Sequence, residues 1–136
     1  MVEEAQFGII FSEVMPWTFC AKFVDFDKEA GNNADQAKHY LETLQKLIAE
    51  RPGKKINIIN DTRLISDRVL SLSGEARASY LEAYKLPEIE RVAMVGFGPW
   101  LRNFIHVLAK FASRSSQTKF FDTPEEAIEW LWAHKK

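Results

Sequence analysis

Residues 91–131 read RVAMVGFGPWLRNFIHVLAKFASRSSQTKFFDTPEEAIEWL, and this stretch decides the fold class. Val92 to Val95 is a short apolar run that predicts a buried strand. A Gly-Phe-Gly-Pro-Trp turn follows at residues 96–100, with Pro99 suited to the first turn of a helix. Leu101, Phe104, Ile105, Leu108, Phe111 and Ala112 then recur at three- and four-residue spacing, the mark of a buried helical stripe. Thr118 to Phe121 predicts a second strand. Thr123-Pro124-Glu125-Glu126 combines a capping threonine, a proline at the first helical position and a glutamate at the third. Ala127, Ile128, Leu131 and Trp132 supply the apolar face of that last helix. Two successive strand-helix units imply parallel strands joined by right-handed crossovers.

The chain on the N-terminal side extends the same pattern. Phe7 to Val14 and Trp17 to Val24 are rich in aromatic and β-branched residues. In the second run Trp17, Phe19, Ala21 and Phe23 alternate with Thr18, Cys20 and Lys22, the two-residue period of a strand. A tight turn at Met15-Pro16 makes the two runs an antiparallel hairpin. Asp25 to Asn33 is a polar loop, and Asn33, with Gln36 three residues later, predicts a helix N-cap. Ala37, Tyr40, Leu41, Leu44, Leu47 and Ile48 mark one face of the helix, which Arg51-Pro52-Gly53 ends. Lys55 to Asn60 carries Ile56, Ile58 and Ile59, a nearly unbroken apolar run that predicts a strand covered on both faces. The polar segment Asp61 to Asp67 lies at its C-terminal end. Ser71 or Ser73 caps the next helix, with Ser66 or Asp67 as earlier candidates, and Ala76, Tyr80, Ala83 and Tyr84 face inward. The expected fold is α/β: a mixed, mostly parallel sheet with an N-terminal antiparallel hairpin, in the order ββαβαβαβα, as one domain over residues 1–136.

Composition narrows the class without choosing a function. With 46% hydrophobic and 27% charged residues, the chain is suited to a packed core rather than to disorder. A formal net charge of −1 leaves no basic excess to draw nucleic acid or an acidic membrane. No apolar run approaches the roughly 20 residues that span a bilayer. The start, Met-Val-Glu-Glu-Ala-Gln, lacks the basic and apolar parts of a secretory signal. Cys20 is the only cysteine, which excludes an internal disulfide and fits a reducing compartment. A cytoplasmic location is the expectation.

Few residues carry candidate chemistry. Glycines 96 and 98 stand between a strand and a helix, where backbone N–H groups can approach an anion, although a tight turn is the better explanation. Thr62, Ser66, Ser71 and Ser73 gather near a helix start and are candidate phosphorylation sites as well as candidate caps. Arg102, His106, Lys110 and Arg114 recur every four residues as a cationic stripe, which a solvated helix face also accounts for. His39, His106 and His134 show no metal-ligand spacing, so neither a metal nor a cofactor is expected.

The segments Lys55-Ile-Asn-Ile-Ile-Asn-Asp61, Arg91-Val-Ala-Met-Val-Gly96 with Trp100, and Lys119-Phe-Phe-Asp-Thr-Pro-Glu-Glu-Ala-Ile-Glu-Trp-Leu131 together resemble the STAS superfamily, and most closely its SpoIIAA-like branch. The resemblance implies a regulatory or ligand-sensing module related to anti-sigma-factor antagonists. Antagonist members are switched by phosphorylation of a serine in an Asp-Ser-Ser-Gly-like motif. The matching region here, Asp61-Thr-Arg-Leu-Ile-Ser-Asp-Arg68, lacks that motif and offers Thr62 and Ser66 instead. The branch also resembles lipid-binding CRAL-TRIO domains in outline.

The first expectation is therefore a non-enzymatic regulatory or protein-interaction module. Its surface would comprise Asp61, Thr62, Arg63, Ser66 and Arg68, beside Gly96, Gly98, Trp100 and Arg102. The alternative is a carrier or sensor of a small apolar or lipid-like ligand held between sheet and helices. An enzyme, built on Asp61, His106 and Arg102, has least support. The expected partner is another protein or a small apolar ligand, with a homodimer through the N-terminal hairpin if its aromatic residues stay exposed. Neither nucleic acid nor integral membrane association is expected.

Overall fold

Every strand among the described residues joins one sheet, in the spatial order β1-β2-β3-β4-β5. The computed structural model describes residues 7–25, 30–65 and 72–134, with only the backbone for residues 30–32. The elements are β1 (Ile9–Met15), β2 (Thr18–Phe23), α1 (Ala30–Ala49), β3 (Ile56–Asp61), α2 (Gly74–Tyr84), β4 (Ile89–Val95), α3 (Pro99–Phe111), β5 (Thr118–Phe121) and α4 (Pro124–Ala133). β1 and β2 are antiparallel, and every later pairing is parallel. The hairpin turns through Pro16 and Trp17, with Met15 opposite Thr18 and Trp17 at φ 65°. Proline fixes the first central position of such a turn, and the second must take a positive φ.

Alternation along the central strands separates two cores. Ile56, Ile58, Val92 and Met94 face α1, α2 and α3, together with Phe19, Ala21 and Phe23 of β2. Ile59, Ala93 and Val95 face α4, whose Ala127 and Leu131 cover them. Ile58 and Ile59 thus serve opposite sides of one strand, which explains the unbroken apolar run. β1 forms an edge of the sheet, and Val14 and Trp17 at its turn are exposed.

Several local expectations are corrected. Helix α1 starts at Ala30, so Asn33 is not its N-cap. Asn33 is buried within the helix and its Oδ1 accepts the Ser73 backbone N–H at 3.2 Å. A contact 40 residues away has captured the side chain that local rules assign to capping. Ser73 is the cap of α2, accepting from the Ala76 N–H at 3.0 Å. β4 begins at Ile89, three residues earlier than its apolar run suggests, because Glu90 and Arg91 continue the strand at its partly exposed start.

Phe111 and Trp132, assigned to inward faces, are exposed. Each lies in the last turn of its helix. Ala109, which the stripe omits, is buried instead of Phe111, and Trp130 packs on Phe121. Arg114 leaves the cationic stripe altogether. It is buried, and its guanidinium donates to the carbonyl oxygens of Ile89 and Leu86 and to Gln117 Oε1 at 3.2 Å. The Leu86 carbonyl also accepts the Ile89 N–H at 3.2 Å, and the five-donor cation adds to it and reaches the carbonyl at the start of β4.

Candidate functional site

Two of the places where polar groups meet accessible space adjoin β3. The first is the C-terminal end of β3. Asp61 is buried on the α4 side of the sheet, and its Oδ1 accepts from the Arg63 backbone N–H at 3.1 Å and from Arg63 Nε at 3.0 Å. Arg63 Nη2 reaches Asp61 Oδ2 at 2.9 Å, which completes a bidentate pair. The hydrogen bond to Asp61 raises the Arg63 guanidinium above its ordinary value. On the neighbouring strand Cys20 is half-buried. Desolvation, aided by the charge of Asp61, pushes its thiol up to about 11.

Arg63 also lies against the Gly96 turn. A Cβ on Gly96 would fall 2.3 Å from Arg63 Cγ, and Gly96 has φ +74°. The glycine is therefore needed twice, for conformation and for space. The structure thus brings Asp61, Arg63 and Gly96 together as the sequence suggests. Gly98 caps α3 in an extended conformation open to other residues. Trp100 is half-buried and stacks on Phe104 at 5.7 Å.

The remaining sequence candidates separate. The Thr62 side chain is buried and its Oγ1 donates to the Val95 carbonyl at 3.2 Å, so a kinase would meet it only after local opening. Ser73 is held in its cap. Ser66, Arg68 and Ser71 lie outside the described residues. Arg102 and His106 are exposed on α3, and both pack on Phe120, with the Arg102 guanidinium 4.6 Å from the ring. Phe120 belongs to the α1–α3 side, whereas Asp61 faces α4, so Asp61, Arg102 and His106 do not converge on one site. Among the described residues no group of three or more His, Cys, Asp or Glu could hold a metal ion. No described helix is long and apolar enough to cross a membrane.

The second place lies between sheet and helices, where the alternative reading puts an apolar ligand without naming its residues. A cavity of about 70 Å³ lies between the sheet and helices α1, α2 and α3. Ile58, Met94, Tyr80, Leu101, Ile105 and Leu108 form much of its apolar wall. Gln36, Tyr40, Asn60, Thr62, Tyr80 and Tyr84 are its lining residues with polar side-chain atoms, and among its described lining residues none is charged. The Tyr40 hydroxyl donates to Asn60 Oδ1 at 2.8 Å, and Asn60 Nδ2 approaches the Met94 sulfur at 3.4 Å. Burial raises the Tyr40 and Tyr80 phenols well above their ordinary range, so both stay neutral. One signal for this site is present in the sequence. Asn60 is a polar residue that alternation places on the same face as Ile56 and Ile58, opposite a helix bearing Tyr40.

A family model described as SpoIIAA-like matches residues 24–132. The chain belongs to the SpoIIAA-like family. The match takes in both places: the β3 end with the Gly96 turn, and nearly all of the cavity wall. β1 and β2 precede it. No curated protein and no solved structure matches the chain. The mixed five-stranded sheet with four helices agrees with the STAS-type fold that this SpoIIAA-like domain was expected to have.

Proposed function

We propose that this SpoIIAA-like domain is a non-enzymatic regulatory module that takes up a small apolar ligand between its sheet and helices α1–α3. The observation that carries the reading is the cavity of about 70 Å³, apolar except for a few polar atoms and without a charged side chain among its described lining. Ligand sites share this composition: apolar walls with a small number of polar groups that fix orientation.

The regulatory half of the proposal rests on what lies over the cavity. Thr62 and Ile65 line it from below the segment that begins at Asp61, and Phe97 lines it from the Gly96–Trp100 turn. The same two segments meet where Arg63 covers Gly96. A ligand that moves this wall changes the surface carrying Arg63 and Leu64, and a protein partner reads that surface. Native mass spectrometry of freshly purified protein tests the ligand. A bound apolar molecule, lost on denaturation, supports the reading. A bare polypeptide mass, together with no thermal shift on adding small apolar compounds, removes it.

A second reading, partner recognition without a ligand, is favoured by the Arg63–Gly96 approach alone. Replacing Arg63 with Ala separates the two: loss of a partner that binds ligand-free protein supports the second reading.

A further inference from the structure

The net charge of −1 conceals a division along the chain. Residues 91–121 contain no Asp or Glu, although the chain has 19, and they carry Arg91, Arg102, Lys110, Arg114 and Lys119. Arg114 is buried, and Arg91 pairs with Glu90 at 3.3 Å. Arg102 and Lys110 are exposed on α3 with His106 between them, and among the described residues neither cation meets a carboxylate. Four-residue spacing puts all three on one face of the helix. Phe120 holds Arg102 in place, its ring 4.6 Å from the guanidinium.

An apolar stripe runs beside the cations. Trp100, Phe104, Val107 and Phe111 follow one another at spacings of four, three and four residues, which keeps them on one side of α3. Trp100 and Phe104 are half-buried and stacked, whereas Val107 and Phe111 are 52% and 73% exposed. Phe111 is the most exposed large apolar side chain among the described residues. Leu101, Ile105 and Leu108 already hold the helix to the sheet, so packing does not call for the outer pair. The surroundings leave the cations uncancelled. On α2, packed beside α3, Glu75 and Glu82 are balanced by Arg77 and the capping Lys85. The acidic helix α4, with Glu125, Glu126 and Glu129, covers the opposite side of the sheet.

We infer that the outer face of α3 docks on an anionic lipid bilayer. Val107 and Phe111 enter the headgroup region, and Arg102 and Lys110 meet the lipid anions. Cations beside large apolar side chains on one exposed helix face are the composition of interfacial helices. Protein interfaces are instead depleted in lysine, and the convex surface of one helix has no groove to seat a peptide. The docking goes beyond the ligand reading and does not depend on it, although α3 also forms one wall of the cavity.

The test is flotation of the full chain with vesicles of phosphatidylcholine alone or with about 30% phosphatidylserine, at about 0.1 M and about 1 M salt. Binding to the anionic vesicles at low salt is expected to be about twentyfold tighter than to neutral ones, roughly fivefold for each of the two cations. High salt, which shortens the screening length to about 3 Å, should remove most of that preference. Lys110→Gln should weaken anionic-vesicle binding about fivefold and Phe111→Ser about tenfold. Lys22→Gln, at an exposed lysine on β2, should leave it unchanged. Both altered α3 side chains are exposed, and a native far-ultraviolet spectrum checks each variant. If Phe111→Ser does not fold, Lys110→Gln and the salt series still decide. No flotation with anionic vesicles at low salt overturns the inference, as does equal binding to both kinds of vesicle. Undiminished binding by the folded α3 variants places the contact elsewhere and overturns it too. Tighter binding to polyglutamate than to anionic vesicles overturns it in favour of an acidic protein partner.

Discussion

The Tyr40 hydroxyl donates to Asn60 Oδ1 at 2.8 Å, tying the first helix to the central strand at the polar end of the cavity. The bond spans 20 residues and is buried, so water cannot replace it when it is lost. It also keeps the Asn60 amide turned with its nitrogen toward Met94.

Tyr40→Phe removes that donor while keeping the ring among Phe11, Phe23 and Tyr80. The variant should lose about 1–2 kcal/mol of stability, because Asn60 Oδ1 is left buried and unpaired. Urea denaturation of both proteins checks this. An unchanged midpoint would mean that the bond contributes nothing net.

Gly96→Ala should be more damaging than Gly53→Ala. Both glycines have positive φ, +74° and +78°, so both substitutions carry a left-handed strain of about 1–2 kcal/mol. Only at Gly96 does the new Cβ also collide with Arg63, whereas nothing lies within 4 Å at Gly53. The difference between the two losses, measured by thermal unfolding, should exceed about 1 kcal/mol, comparable with overpacking elsewhere.

Arg114→Met should cost about 2–4 kcal/mol. It leaves the Ile89 carbonyl without its guanidinium donor, while Leu86 keeps only the Ile89 N–H at 3.2 Å. Lysine in its place should recover only part of the loss, since an ammonium cannot reproduce the planar fork. Chemical denaturation of the three proteins checks the order arginine, lysine, methionine.

How far the sequence speaks depends on the range of the interaction. The Thr123-Pro124-Glu126 start is local, and the structure reproduces it: Thr123 Oγ1 accepts from the Glu126 N–H at 3.3 Å. The β3 run and the Gly96 turn are also set by neighbours in sequence. Asn33 and Arg114 defeat such reading because their partners, Ser73 and Leu86, are 40 and 28 residues away. Periodicity identifies the inward face of a helix but not where the opposing sheet ends, which is why Phe111 and Trp132 turn out exposed. A ligand site between sheet and helices is expected from the family outline and the aromatic content, but its lining is not legible for a related reason. Its walls are ordinary apolar stripes, and the space between them follows from packing in three dimensions.

Acid should weaken the fold through His39. Burial beside Phe7 and Phe11 holds its imidazole below the ordinary 6.5, so the folded state favours the neutral ring. A group with a depressed folded pKa contributes stability above its unfolded value, and loses it as pH falls toward the folded value. Stability should therefore decline below about pH 6.5, and His39→Phe should flatten that decline. Denaturation midpoints at about pH 7.5 and about pH 5.5 check this, with equal slopes for both proteins counting against it.

The central claim is that the space between sheet and helices α1–α3 takes an apolar ligand. Methyl-labelled protein titrated with hexanol and followed by two-dimensional NMR tests it most directly. Saturable shifts are predicted at Ile58, Met94, Ile105 and Leu108, which line the cavity, with Ile59 and Leu131 on the α4 side unmoved. No saturable shift, or equal shifts on both sides of the sheet, would contradict the account.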